Sequence, residues 1–404
     1  MFKAGRRSTL ILISVFLFCT CIEPYRPQLG EYKSLLVVDG LITDSNSSYT
    51  VKLSKSFQDQ NSEPEMVTNA ALFITDINGN MNYLKNTGNG IYKTDSLSFK
   101  GVVGNTYVLH INVDGADYLS DPCLMMDVPE IDSTYFEKDN ELVNNGTQSL
   151  DGIRIYIDSK AGDKNQFLRW SFDETWKFKV PLPKKYNFNI ADSAITTVTD
   201  VKEYCWKSRK SSDILINSTY SQSLPIRKQP IFFIATDQSD RLLIQYSILI
   251  KQYSISKSEY DFWNSLKQIN ESGGDIFAKI PYTQVSNIKN VNDPNERIQG
   301  YFQVSSVKQR RKNITFSEIK GLNLPLFHYS CERIAKAPSD YDWRFPPTWA
   351  QIYSMFCVSS DYYFVEPEYT SDWKLAKMVF AKPECANCEL TGTSKKPDFW
   401  VDLN

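Results

Sequence analysis

Alternation of apolar and polar residues with a period of two constrains this chain more than any other feature. Tyr107, Leu109, Ile111 and Val113 fall on one side of an extended segment, while Val108, His110 and Asn112 fall on the other. Ile153, Ile155 and Ile157 alternate with Arg154, Tyr156 and Asp158 in the same way. Leu168, Trp170 and Phe172 repeat the pattern, and Leu242, Ile244, Tyr246, Ile248 and Ile250 carry it over a longer run. Successive strand side chains point to opposite faces, so the pattern describes antiparallel strands with one face on a core. Asn78-Gly79, Asn89-Gly90, Asp114-Gly115 and Asn145-Gly146 supply the residues that tight hairpin turns require. The expected fold is mainly β: an N-terminal Ig-like β-sandwich over residues 31–128, then a larger antiparallel β-rich domain over 129–404 with one or two inserted helices.

The boundary is placed at Val128-Pro129, and the polar stretch from Glu137 to Gly152 reads as an inter-strand loop or hinge. One segment breaks the strand period. Ser256 and Glu259 stand at capping-box spacing, Phe262, Leu266 and Ile269 follow at helical spacing, and Gly273-Gly274 ends the run. A helix near 256–272 follows, with Trp263 widening an apolar stripe that suits packing on a sheet. The basic run Lys308-Gln309-Arg310-Arg311-Lys312 between two strand-like stretches reads as a solvated hairpin tip.

The first 20 residues read as a signal peptide. Lys3, Arg6 and Arg7 form a cationic start, and the apolar run Leu10 to Phe18 is shorter than the ~20 residues that span a bilayer. Small Thr20 is followed at once by Cys21, which suits the peptidase that leaves an acylated cysteine at the new N-terminus. Cys21 is therefore the expected lipidation point, with the membrane as partner through its acyl chains. Residues 21–30, with Pro24 and Pro27, read as an extended tether. Beyond the leader, Cys123, Cys205, Cys331, Cys357, Cys385 and Cys388 provide material for three disulfides in an oxidising compartment. Connectivity stays open at this level. Cys385-Ala386-Asn387-Cys388 has redox-pair spacing, but no helical pattern follows it, and a structural role is expected.

A formal net charge of −2 excludes the concentrated basic surface that a nucleic-acid partner demands. No Walker loop, dinucleotide fingerprint or zinc spacing is present, so neither cofactor nor metal is expected. The chain has two histidines. His110 lies on the polar face of an expected strand, and His328 adjoins Tyr329 and Cys331 without a serine elbow nearby. The acidic pairs Glu63/Glu65 and Glu366/Glu368 mimic glycosidase or calcium pairs, but a chain with 47 acidic residues produces such pairs freely. No catalytic residue is assigned and no enzyme is expected. The candidate binding surface is aromatic: Tyr341, Trp343, Arg344, Phe345 and Trp349, with Tyr353, gather around Pro346-Pro347. Prolines keep this stretch out of a central strand, which leaves its rings either exposed for an interface or sugar ligand or plugging one end of a sandwich.

Several segments together resemble a known family. These are "LLVVDGLITDSNSSYTVKLSKS", "LLIQYSILIKQYSISKSEYDFWNSLKQ", "GGDIFAKIPYTQVSNI", "ERIQGYFQVSSV" and the ending "CANCELTGTSKKPDFW". In that order they resemble the Bacteroidota lipoproteins grouped as domain of unknown function 4249, over nearly the whole mature chain. The resemblance implies an outer-membrane lipoprotein that works as a binding or accessory subunit of a TonB-dependent transporter. It implies no catalytic residues. The alternative is a surface-attached hydrolase or glycan-binding adhesin acting on an extracellular polymer.

Overall fold

The structure is a computed structural model that describes residues 34–56, 63–95, 99–144, 146–162, 166–219, 224–271 and 286–403. The expected leader, Cys21, the tether and Gly273-Gly274 lie outside the described residues. The chain is mainly β, and its described residues pack around three principal cores.

The first core is enclosed by β1 (Leu36–Ile42), β2 (Thr50–Lys55), β3 (Glu65–Met66), β4 (Ala71–Asp76), β5 (Met81–Asn86), β6 (Ile91–Lys93), β7 (Thr106–Val113), β8 (Ala116–Ser120) and β9 (Cys123–Leu124). Val38, Leu53, Ile74, Leu109 and Ile111 fill it from alternating positions. β5 serves two neighbours: Met81–Leu84 pair with β4, and Lys85 and Asn86 pair with β6. The sheet thereby curls over onto itself. The buried phenol of Tyr92 donates to Val67 O at 3.0 Å and accepts from Ala70 N at 3.0 Å, so it enters the core with its polar end satisfied.

The second core lies between two sheets. β10 (Ile131–Val143), β11 (Gln148–Ser159) and β17 (Gln229–Ala235) form one. β15 (Tyr204–Lys210), β12 (Phe167–Lys179), β18 (Gln245–Ile255) and β21 (Val307–Thr315) form the other, with β16 (Leu215–Ser218) also on β12. Ile153, Ile155, Ile157, Trp170, Phe172 and Ile248 meet between them, as the alternation predicts. Gln252 is buried among them and hydrogen-bonded at both ends of its amide. It accepts from Trp170 Nε1 at 2.8 Å and from Ser159 Oγ, and its amide donates to Pro129 O at 2.8 Å.

A third, smaller core lies under β22 (Ile334–Lys336), β24 (Leu375–Ala381) and β23 (Tyr363–Tyr369), with the hairpin β13 (Tyr186–Phe188) and β14 (Ile195–Thr197) against it. Disulfides Cys205–Cys388 and Cys331–Cys385 fasten this region to the rest. The two cysteines of the Cys-x-x-Cys segment therefore bond to separate partners rather than to each other. The last residues wrap the second core. Thr393 bridges to Trp206, Trp400 packs edge-on to the same ring, and Gln245 exchanges hydrogen bonds with Val401 O and Leu403 N.

Five expectations change. Residues 137–152 are no hinge, because they form most of the long β10–β11 hairpin, whose polar side chains pair across it; Arg154, for example, bonds Asp139 and Glu141. Residues 288–304 leave the C-terminal part: β19 (Ile288–Asn290) pairs with β8, and β20 (Gln299–Val304) runs parallel to β1. A parallel partner arrives only through a long connection, which local periodicity cannot reveal. Lys308–Lys312 is an edge strand and no hairpin tip. Lys308 pairs with Glu130, Arg310 donates to Ile131 O and Asp132 O, Arg311 covers the Phe399 ring and Lys312 reaches Glu318. Leu242 lies in a short 3-10 turn (Asp240–Leu242), and β18 begins only at Gln245. The third expected disulfide does not form, because Cys123 packs on the first core and Cys357 on the third.

Candidate functional site

The helix α1 (Lys257–Glu271) forms where β18 ends. Ser256 Oγ accepts from Glu259 N at 3.1 Å, so half of the expected capping box is present. The other half is not. The Glu259 side chain turns inward, is 2% exposed, and accepts from Trp263 Nε1 at 3.3 Å instead of reaching back to the backbone. Burial pushes its carboxyl up to about 7, opposed by the charge of Arg169 and the hydrogen bond from Trp263. Phe262 packs on Tyr301 at 5.0 Å between ring centres, so the helix leans on a β20 residue as well as on β12 and β16.

Beside Glu259 the first sheet nearly closes on itself. Asn287 makes that seam. Its amide donates to Phe302 O at 2.8 Å and accepts from Phe302 N at 2.9 Å, imitating a strand residue along the outer edge of β20. Its backbone carbonyl accepts from Asp121 N at the end of β8, and its amide also reaches Cys123 Sγ at 3.3 Å. Burial pushes the Cys123 thiol up to about 12, with the neighbouring Glu259 charge adding to the effect. Asp121, Cys123, Ser258, Glu259, Asn287 and Tyr301 line a cavity of about 280 Å³ at this junction. Sequence reading missed it, since its residues come from four distant segments. One local signal existed: a capping-box glutamate is also a candidate for burial when aromatic residues follow it.

The aromatic stretch divides. Trp343 is 85% exposed and Phe345 83%, with Arg344 between them paired to Asp342. Tyr341, Trp349 and Tyr353 turn the other way and pack on the third core. Exposure and core packing are thus divided among different residues of this segment. A further ring was missed. Trp373 is 83% exposed in the turn between β23 and β24 and has φ 60°. That left-handed backbone is costly for a bulky side chain, and the turn gains no burial in return. β22 runs antiparallel to β24 with Lys336 opposite Met378, so the chain leaving β22 toward 338–345 heads for the end of the sheet that carries Trp373.

The remaining candidates are occupied by ordinary partners. His110 stacks on Phe73 at 4.3 Å and bonds Thr75 at 3.0 Å, and burial lowers its basicity. His328 is exposed beyond the second core. Arg333 clamps Glu366 at 2.6 Å and Glu368 at 2.7 Å, and Lys55 pairs with Glu65. Among the described residues no three His, Cys, Asp or Glu side chains converge as metal ligands, and no helix is long and apolar enough to cross a membrane.

A family model described as a domain of unknown function (DUF4249) matches residues 22–311. No curated protein matches the chain.

Proposed function

The chain belongs to the DUF4249 family, a domain of unknown function, and on that premise we propose that it is a lipoprotein held to the outer membrane through Cys21. It acts there as a non-enzymatic accessory subunit of a TonB-dependent transporter. The observation that carries the binding role is Trp373, a largely exposed tryptophan on left-handed backbone, accompanied by the exposed rings of Trp343 and Phe345. Large exposed rings are the usual anchors of protein interfaces, where a few aromatic and arginine residues supply most of the binding energy. Disulfide Cys331–Cys385 beside the third core limits its internal freedom, which lowers the entropy lost on docking. The leader, with Thr20 before Cys21, supports the anchor.

The test is a mild-detergent pull-down of the native protein from its own outer membrane. The controls are Cys21→Ala and the triple variant Trp343→Ala/Phe345→Ala/Trp373→Ala. A large β-barrel transporter recovered near one-to-one with wild type, and lost with the triple variant, supports the proposal. A lipidated protein recovered alone refutes it. Exposed rings also stack on sugars, so polysaccharide retention that vanishes with the triple variant would favour the adhesin reading.

A further inference from the structure

The cavity under α1 has an unbalanced lining. Glu259 is 2% exposed, and the Trp263 indole at 3.3 Å is its one hydrogen-bond donor among the described residues; none reaches Oε2. The nearest guanidinium, Arg169, is engaged elsewhere through Nη2 and keeps a buried Nε with no hydrogen-bond partner. It donates to Gln303 at 3.0 Å and lies between the rings of Tyr253 at 4.7 Å and Trp263 at 4.8 Å, forming no ion pair with Glu259. A buried carboxylate with a vacant acceptor is costly unless something supplies a donor. Glu259 borders a space of about 280 Å³, large enough for a small molecule.

The chemistry of that space selects the ligand. Among the described residues its lining holds carboxylates, Asp121 and Glu259, hydroxyls, Ser258 and Tyr301, and no lysine or arginine. Lys289 pairs with Asp121 at 2.7 Å, whereas Glu259 has no ion-pair partner among the described residues and feels only the charge of Arg169. Tyr301 OH and Ser258 Oγ lie 3.0 Å apart, so one of them always offers a lone pair to an incoming donor. Its ring supplies an apolar face that attracts cations. We propose that this cavity is a binding site for a small organic ammonium ion, with Glu259 as its counter-ion and the Tyr301–Ser258 pair as the second acceptor. Neutral polyols fit less well, because they leave the carboxylate charge unanswered. This inference is independent of the transporter proposal.

Among the described residues the groups around Glu259 are Arg169 from β12, whose charge favours its ionised form, and Cys123 from β9 and Tyr301 from β20, whose ionisation the Glu259 charge disfavours; Asp121, beyond β8, acts on Cys123. Glu259 is half-ionised near pH 7 in the empty site, and the cation binds its ionised form. Affinity therefore rises roughly 10-fold between pH 6 and pH 8, as the ionised fraction rises.

The experiment is calorimetric titration of the full-length protein in mild detergent with phenethylammonium chloride, 2-phenylethanol as the uncharged isostere, and methyl glucoside. The expected result is binding of the amine, at least ~10-fold weaker binding of the alcohol, and the stated rise with pH. Glu259→Gln should lose at least ~10-fold in affinity for the amine. Ser258→Lys, at an exposed position on the rim, adds an ammonium group beside the cavity and should block the probe; because it also removes the Ser258–Tyr301 hydrogen bond, its fold is checked by circular dichroism. Three results overturn the proposal: no amine binding at ~10 mM, equal binding of amine and alcohol, or binding of methyl glucoside in preference to both. Amine binding unchanged in both variants would place it elsewhere on the protein and overturn it as well.

Discussion

The second core contains a charge pair whose removal gives a sharp test of the packing argument. Glu174 is completely buried on β12. Arg241 grips it with two parallel hydrogen bonds, Nε to Oε2 at 3.0 Å and Nη2 to Oε1 at 3.0 Å. Tyr246 donates to Oε2 at 3.0 Å, and Arg209 lies 3.9 Å away from the edge. Arg241 also covers the Trp176 ring at 4.6 Å, so its planar face replaces apolar surface. Replacing it in Arg241→Met keeps the volume and leaves a carboxylate in the core with one phenol and a distant guanidinium. Breaking a buried pair in this way costs about 3–5 kcal/mol. Removing both charges in Glu174→Met/Arg241→Met should cost ~1 kcal/mol or less, because the penalty comes from the orphaned charge and not from the lost attraction. The assay is urea unfolding followed by the fluorescence of Trp170 and Trp176, both in this core. At a slope of ~2–3 kcal/mol per molar urea, the single variant should shift the midpoint down by ~1–2 M and the double variant by ~0.5 M or less. Equal shifts for both variants would refute the reasoning, as would a single-variant shift below ~0.3 M.

Three further predictions follow from the same coordinates. Gly300 has φ +87°, and an added Cβ would lie 1.9 Å from Val38 O, so Gly300→Ala should destabilise by roughly 3 kcal/mol or more and free the β1–β20 amides to hydrogen exchange before those of β4 and β7. Burial pushes the thiols of Cys123 and Cys357 up to about 12 and about 11, so at pH 8 neither should react with a disulfide reagent until denaturant is added, when both should; rapid labelling of the folded protein would contradict this. The Glu259 carboxyl is raised from its ordinary 4.5 to about 7, so its protonated form favours folding. That contribution is complete below pH 4.5 and is lost as pH rises through 7. Glu259→Gln should therefore match wild type in stability at pH 4.5 and exceed it by ~3 kcal/mol above pH 7, read by thermal melts across that range. A constant difference across the range would remove Glu259 from the account.

Periodicity carried the strand-rich reading because side-chain direction in a strand depends only on the neighbours in sequence. Ile153, Ile155 and Ile157 face a core in any sheet that uses them. The same locality explains why α1 was legible from Ser256 and Phe262, since caps and helical stripes are decided within a few residues. Charge patterns proved less legible. Lys308–Lys312 looks solvated in isolation, yet its cations meet Glu130, the β10 backbone, Phe399 and Glu318, all brought by distant chain.

By itself the sequence determined the class of this protein: a β-rich chain with one substantial helix, few basic clusters and cysteines near its end. Those properties rest on local sterics, composition and turn chemistry. Tertiary structure alone decided which cysteines bond, how β20 returns to lie parallel to β1, and which rings of 341–353 face water. It also decided that Glu259, written as a helix cap, is buried beside a cavity instead. The physical reason is that burial, pairing partner and pKa are set by whatever chain packs alongside, and for Glu259 that chain comes from residues 121–123, 169, 287 and 301.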